Sequence, residues 1–257
     1  MAGKSGVILN RTCIPKDRVH SVALICGDMG RFMMFKEHAT HYREFGQYLC
    51  WKAAEIEVDG EMLLIACHGV GSQPTAVLIR ELIELGVKCI IRSGTSGTYL
   101  PREHVIGDIC IVYGAVRGDT ISLNEVDVAY PAAADPDVVE ALRDSSEELN
   151  VPTHMGIAYT TDLFYRTGIL GEDPRIPLIK AGVAIEETEN ATLFTMCSLN
   201  NVKCGAICTI DGCPFEWDIG NYGAHAEVMK RGKEAMVKVA VHAAARLSRE
   251  IKGAAQP

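Results

Sequence analysis

Two segments of this chain set arginine and glycine at the end of an apolar run, the composition of a metal-free phosphate site. In Cys89 to Thr98, CIIRSGTSGT, Arg92 can hold two oxyanion oxygens in a bidentate fork. Gly94 and Gly97 let backbone N–H groups approach closely, and Thr95 adds a hydroxyl donor. The competing reading is that Arg92 pairs with a carboxylate beneath the sheet. Ser21 to Arg31, SVALICGDMGR, repeats the design: an apolar strand ends at Gly27, a tight turn follows and Arg31 opens the next element. Ligands of open α/β sheets bind beyond the carboxyl ends of strands, so the two arginines can converge on one dianion.

Carboxylates supply the second kind of chemistry. Glu187 and Glu189 flank Thr188 in an acidic run, and a carboxylate can accept both hydroxyl protons of a cis-diol. On a helix the two would point about 200° apart, one for a ligand and one for support. The alternative for Glu186 to Glu189 is a solvated helix N-terminus favoured by the dipole. Asp211 closes the apolar run CGAICTI and precedes Gly212, so it is either a proton donor with a raised pKa or the first half of an Asp-Gly turn. Phe164 in TDLFY and Trp217 in the Gly- and Pro-bounded CPFEWDIGNYG could sandwich a flat heterocycle, the second from a lid, or else pack in the core.

The elements that must position these residues are legible from periodicity. Val22 to Cys26 reads as a buried strand, and Tyr48 to Ile56 with Glu61 to Cys67 reads as a hairpin closed by Asp59-Gly60. Pro74 to Leu85 has helical period with Gly86 at the C-cap, and the Arg92 strand follows. Further strands are predicted at Asp108 to Ala115, His154 to Thr160 and Cys204 to Ile210, and helices at Pro136 to Leu149 and Ala224 to Ile251. Such alternation predicts an α/β fold of βαβ units around a largely parallel sheet, as one domain over residues 1–257.

Composition narrows the function class. The chain has 257 residues, 48% hydrophobic and 23% charged, enough to bury a large core. A net charge of −8 disfavours a nucleic-acid binder, which needs a basic footprint, so the arginines must serve locally. Ten cysteines without a CxxC pair suggest neither a zinc site nor a disulfide framework, and a reducing cytoplasm is expected. Cys50, Cys67, Cys89, Cys110 and Cys208 sit in apolar runs and read as core fillers. No run approaches about 18 apolar residues, so no membrane segment is expected.

Six motifs in order carry a resemblance: GDMGR at Gly27 to Arg31, YRE at Tyr42 to Glu44, HGVG at His68 to Gly71, IRSGTSG, EETENATL at Glu186 to Leu193 and IDGCPFEWD at Ile210 to Asp218. Together they resemble the nucleoside phosphorylase family, on its hexameric purine and uridine branch. The last motif most resembles the purine nucleoside phosphorylases of apicomplexan parasites. The resemblance implies a single domain with a twisted, mixed, partly barrel-like sheet flanked by helices. It implies phosphate bound by Gly27, Arg31, Arg92 and Thr95, with Arg43 reaching into a neighbouring subunit's site in a homohexamer built as a trimer of dimers. It implies ribose held by Glu187, Thr188 and Glu189, with Thr188 replacing the family's Met, and with Arg11 where the family has a histidine for the 5′ hydroxyl. It implies a base held by Phe164, Asp211 and Trp217, with Asp211 donating to N7. Met229 stands where some members place an arginine that assists this aspartate, with Lys230 and Arg231 beside it.

The expected reaction is phosphorolysis of inosine or guanosine, with phosphate as co-substrate and no cofactor or metal. A uridine phosphorylase is the rival, because Thr95 and ENATLFTMC resemble that branch too. A hydrolytic nucleosidase and a catalytically weak nucleoside-binding paralogue are further alternatives. A dinucleotide-binding enzyme is disfavoured, because no G-x-G-x-x-G follows the first strand.

Overall fold

The computed structural model describes residues 10–166, 171, 173–215 and 225–254. In chain order the elements are β1 (Val22–Cys26), α1 (Met29–Glu37), β2 (His41–Tyr48), β3 (Trp51–Val58), β4 (Glu61–Cys67), α2 (Ser72–Leu85), β5 (Cys89–Thr98), β6 (Ile109–Gly118), α3 (Thr120–Glu125), β7 (Ala132–Ala133), α4 (Pro136–Glu148), β8 (His154–Thr161), α5 (Arg175–Lys180), β9 (Val183–Glu187), α6 (Asn190–Leu199), β10 (Lys203–Gly212) and α7 (Ala226–Ala254). Ten strands form one mixed sheet in the order β10-β6-β8-β9-β5-β1-β4-β3-β2, with β7 on β6. Because β10 also pairs with β5, the strands β5, β10, β6, β8 and β9 close into a ring. The sheet is thus partly a barrel, as expected. Its central run β4-β1-β5-β10 is parallel, and antiparallel pairings attach β3 and β2 at one side and join β6 and β9 on the other.

Both faces of the central strands are covered, so they read as unbroken apolar runs. Along β1, Ala23 and Ile25 face a cluster with Leu78, Ile79 and Phe194 of α2 and α6. Val22, Leu24 and Cys26 face a second cluster built on Phe32, Leu142 and Met236 of α1, α4 and α7. Alternation along one strand therefore seats helices on each side.

Local chemistry explains the predicted elements that recur. The β3–β4 hairpin closes through Asp59 and Gly60, both at positive φ (50° and 78°) as a two-residue type I′ turn demands, with Val58 opposite Glu61. Helix α2 stops at Gly86, whose φ of 97° and ψ of 17° make a left-handed cap.

Two elements differ from the sequence reading. The expected strand Tyr48 to Ile56 is broken by a turn at Leu49 (φ 54°) and Cys50, because His41–Tyr48 forms a further strand, β2, antiparallel to β3. Cys50 is therefore half-buried in a turn rather than a core filler, whereas Cys67, Cys89, Cys110 and Cys208 are buried. The Arg92 strand does not end at its glycines. It runs to Thr98 because β10 supplies ladder partners as far as Gly97 and β9 takes up Gly97 and Thr98.

Helix α7 crosses β10 at Gly232, where a Cβ would lie 2.5 Å from the Gly107 carbonyl oxygen and 2.8 Å from Thr209 Cγ2. Backbone cannot retreat as a flexible side chain can. Gly232→Ala is expected to cost about 1–3 kcal/mol of stability through overpacking, measured by urea denaturation. An unchanged midpoint would mean the helix is free to shift.

Candidate active site

The carboxyl ends of β1, β5 and β10, with the β9–α6 junction, enclose a cavity of about 180 Å³. Gly27, Arg31, Arg92 and Thr95 line one part of it, Glu187, Thr188 and Glu189 another, and Phe164 and Asp211 also face it. Arg43 and Arg11 do not line it. Arg43 is exposed on the edge strand β2, opposite Glu55 of β3. Arg11 stacks over the Tyr48 ring at 4.5 Å, and its backbone N–H donates to Glu81 (2.6 Å). Trp217 lies outside the described residues.

Arg31 is fixed by the start of its own helix. Asp28 caps α1 by accepting from the Arg31 backbone N–H (2.9 Å) and also pairs with its Nε. Burial would raise the Asp28 carboxyl, but Arg31 outweighs it and holds it below the usual range. The Arg31 Nη1 donates to the Ser93 carbonyl (2.8 Å), tying α1 to β5. Glycine at position 27 leaves the approach open. A Cβ there would lie 3.0 Å from the Gly69 carbonyl and 3.6 Å from Arg31 Nη2.

Arg92 is the centre of the site. Its side chain is 3% exposed, and its terminal nitrogens meet Glu189, Glu187 (3.3 Å) and the side-chain Oδ1 of Asn190 (3.0 Å). Among the described residues its Nε is buried without a hydrogen-bond partner. Both carboxylates it meets line the same cavity.

The two glutamates converge because a strand end and a helix start carry them, whereas on one helix they would point apart. Glu187 ends β9, and Glu189 is the N-cap of α6, its φ of −143° turning the chain. Glu187 Oε2 accepts from the N–H groups of Glu189 and Asn190 (2.8 Å each), and Oε1 accepts from the Thr160 hydroxyl (2.5 Å). That hydroxyl in turn accepts from Ala191 N–H (2.9 Å), so the open donors of the helix start are satisfied from the strands. Glu189 Oε1 accepts from Gly71 N–H (2.7 Å).

One cation between two buried carboxylates divides them. Burial, with Glu189 beside it, pushes Glu187 up to about 7. For Glu189 burial acts in the same sense, but Arg92, with the Gly71 N–H, prevails and holds it low.

Two further residues shape this region. His68 is fully buried, and its Nδ1 lies 2.8 Å from the Thr75 hydroxyl, which donates to the Gly71 carbonyl (2.8 Å). The imidazole must therefore be the donor in that contact. Burial, reinforced by Arg92 and Arg31, lowers it to about 3 and keeps it neutral. Asp211 sits at an irregularity where β10 skips register against β5 between Ile210 and Gly212, and it is hydrogen-bonded to Thr95. Burial pushes it up to about 6, against the pull of Lys233 and Arg31. The cation acting on this aspartate from α7 is Lys233, beyond the Met229, Lys230 and Arg231 singled out in the sequence.

Sequence reasoning missed the role of Glu186 in the lining. No signal in the sequence marked it, because the acidic run reads as a helix start and not as the end of a strand. Glu186 accepts from the Tyr99 hydroxyl and lies 3.7 Å from Arg175 Nη1, and it borders the same cavity with Gly97 and Pro214. Among the described residues no group of three or more His, Cys, Asp or Glu is arranged to hold a metal ion, and no helix is long and apolar enough to cross a membrane.

Comparison with known proteins bears on this geometry. Residues 21–250 match the family model described as the phosphorylase superfamily. The chain is 36% identical over 244 residues to the purine nucleoside phosphorylase of Plasmodium falciparum (isolate 3D7), covering 94% of this chain and 97% of that one. It is 28% identical over 242 residues to the uridine phosphorylase of Escherichia coli (strain K12), covering 90% and 88%. Among solved structures, purine nucleoside phosphorylase from Toxoplasma gondii in complex with immucillin-H superposes with a TM-score of 0.88 at 30% identity, covering 92% of this chain and 95% of that one.

The raised Asp211 pKa has a stability consequence. Between the ordinary carboxyl value of 3.8 and about 6 the folded chain holds a proton that the unfolded chain has lost, so this group's burial costs stability as pH rises through that window. Asp211→Asn is expected to raise the melting temperature at pH 8 and to lose that advantage near pH 4. A difference that does not change with pH would mean that Asp211 carries no buried-charge penalty.

Proposed function

The chain belongs to the phosphorylase superfamily, and from that premise we propose that it is a purine nucleoside phosphorylase, converting inosine or guanosine and phosphate to the free base and ribose 1-phosphate. One observation carries the choice of purine. A carboxyl group with its pKa pushed up to about 6 lines the cavity that also holds Arg31, Arg92 and Glu189. Such a group is suited to give a proton to a leaving base, and a purine offers N7 for it.

In this reading Arg31, Arg92, Thr95 and the open approach at Gly27 hold phosphate beneath C1′. Glu189, kept ionised, accepts from the 2′ and 3′ hydroxyls and offsets the positive charge that develops on the ribosyl ring. Glu187 and Thr188 support that grip. The C1′–N9 bond breaks as a phosphate oxygen bonds C1′, while the Asp211 proton passes to N7, so the base leaves uncharged. Phe164, half exposed at the cavity, covers the base, and Trp217 is assigned to the same task.

No cofactor is required, and phosphate is the co-substrate. The exposed position of Arg43 on an edge strand fits a residue that serves a neighbouring subunit in a hexamer built as a trimer of dimers. Arg11 is assigned to the 5′ end of a ribose. A cytoplasmic location suits free thiols at all ten cysteines.

The test is turnover of inosine and uridine side by side, with and without phosphate. Phosphate-dependent turnover favouring inosine is expected, and a preference for uridine would overturn the proposal. Asp211→Asn should lower inosine turnover by about 10² to 10⁴. The loss should be far smaller with a nucleoside already methylated at N7, which needs no proton there. An equal loss on both substrates would remove Asp211 as the acid.

A further inference from the structure

Glu186 is a charged group that the proposed reaction leaves unused. It pairs with Gly97 across the β9–β5 ladder, and Pro214, three residues after Asp211, packs so close to Gly97 that a Cβ there would lie 2.7 Å from the proline ring. Glu186, Gly97, Pro214 and Asp211 all border the cavity. This carboxylate therefore shares the end of the cavity where Asp211 meets the base, whereas Glu187, its neighbour on the strand, turns toward Arg92 and the start of α6.

The group is held in place rather than left to swing. Its Oε2 accepts from the buried Tyr99 hydroxyl, and Arg175 Nη1 stands at 3.7 Å. Arg175 is itself fixed by Asp173 and by the face of Phe215, 4.3 Å from its guanidinium carbon. Burying a carboxylate is costly unless it is paired, and here both a cation and a hydroxyl pair it. An ionised carboxylate has about four acceptor positions, so one bond from Tyr99 leaves the capacity for two further donors.

We propose that Glu186 reads the base, accepting from the adjacent N1–H and 2-amino group of a 2-amino-6-oxopurine, so that guanosine-type nucleosides are the preferred substrates. The inference rests on the purine phosphorolysis reading and names the substrate class within it. The discrimination follows from donor and acceptor order. Hypoxanthine offers the N1–H alone. Adenine turns an N1 lone pair toward the carboxylate, which repels it. Uracil offers one N–H between two carbonyl oxygens, so the second carboxylate oxygen would face an acceptor.

The experiment compares kcat/KM for guanosine, inosine and adenosine, with phosphate saturating, in the wild type, Glu186→Gln and Glu186→Ala. The wild-type order is expected to be guanosine, inosine, adenosine. Glu186→Gln keeps an oxygen for Tyr99 but turns one acceptor into a donor, matching the N1 acceptor of adenine. It should lower the guanosine-to-adenosine ratio by roughly ten- to a hundredfold. Glu186→Ala should lower it too, and if that variant fails to fold, as judged by its melting curve, the isosteric Gln variant decides. Purine turnover with the ratio unchanged in Glu186→Gln would overturn this assignment alone and leave Glu186 a purely structural partner of Arg175. A wild type that turns over no purine nucleoside would instead fail at the earlier reading, and this assignment would fall with it.

Discussion

A guanidinium buried in the middle of a sheet has to be compensated where it stands, and that requirement organises the site. Arg92 cannot shed its proton, and burial leaves it no solvent to share its charge with. The chain answers with Glu187, Glu189 and Asn190, all drawn from the β9–α6 junction. Meeting one guanidinium from three nearly consecutive residues requires the backbone to change from strand to helix between them. That change in turn leaves helix N–H groups unpaired, which Glu187 and Thr160 then satisfy. One buried charge thereby fixes the end of β9, the start of α6 and their seat against β5.

Much of this was legible in the sequence where local chemistry decides the outcome. The Asp59-Gly60 hairpin, the Gly86 cap and the apolar strand of Val22 to Cys26 each depend on neighbouring residues, and each stands where the sequence reading put it. Elements fixed by distant partners were harder to read. The segment SGTSG looks like a loop by composition, yet it is strand because β10 and β9 complete its hydrogen bonds from both sides. Glu186 to Glu189 carries the acidic signature of a helix start. Half of it is the end of a strand, and the helix begins only after Glu189. The grouping of Gly27, Arg31, Arg92, Glu189 and Asp211 around one cavity was expected from motif order, but the sharing of Arg92 between two carboxylates was left open. Composition names the ions and not their partners.

Charge explains why the site needs such arrangements. The chain carries a net charge of −8, so its overall field opposes an incoming anion. At physiological ionic strength that field fades within about 8 Å, which leaves the decision to the groups lining the cavity. Glu186, Glu187, Glu189 and Asp211 would overwhelm Arg31 and Arg92 if all four were ionised alone. They are not left alone. Glu186 has its own cation in Arg175, Glu187 engages Arg92, Thr160 and two helix N–H groups, and burial pushes Asp211 up to about 6. Glu189 is the carboxylate kept charged, because Arg92 and the Gly71 N–H both favour it. Burial thus lowers the negative charge around the arginines while keeping one anion where a developing cation would need it. The same low-dielectric surroundings that make Arg92 demand partners raise the Asp211 carboxyl, so that less negative charge competes for the arginines.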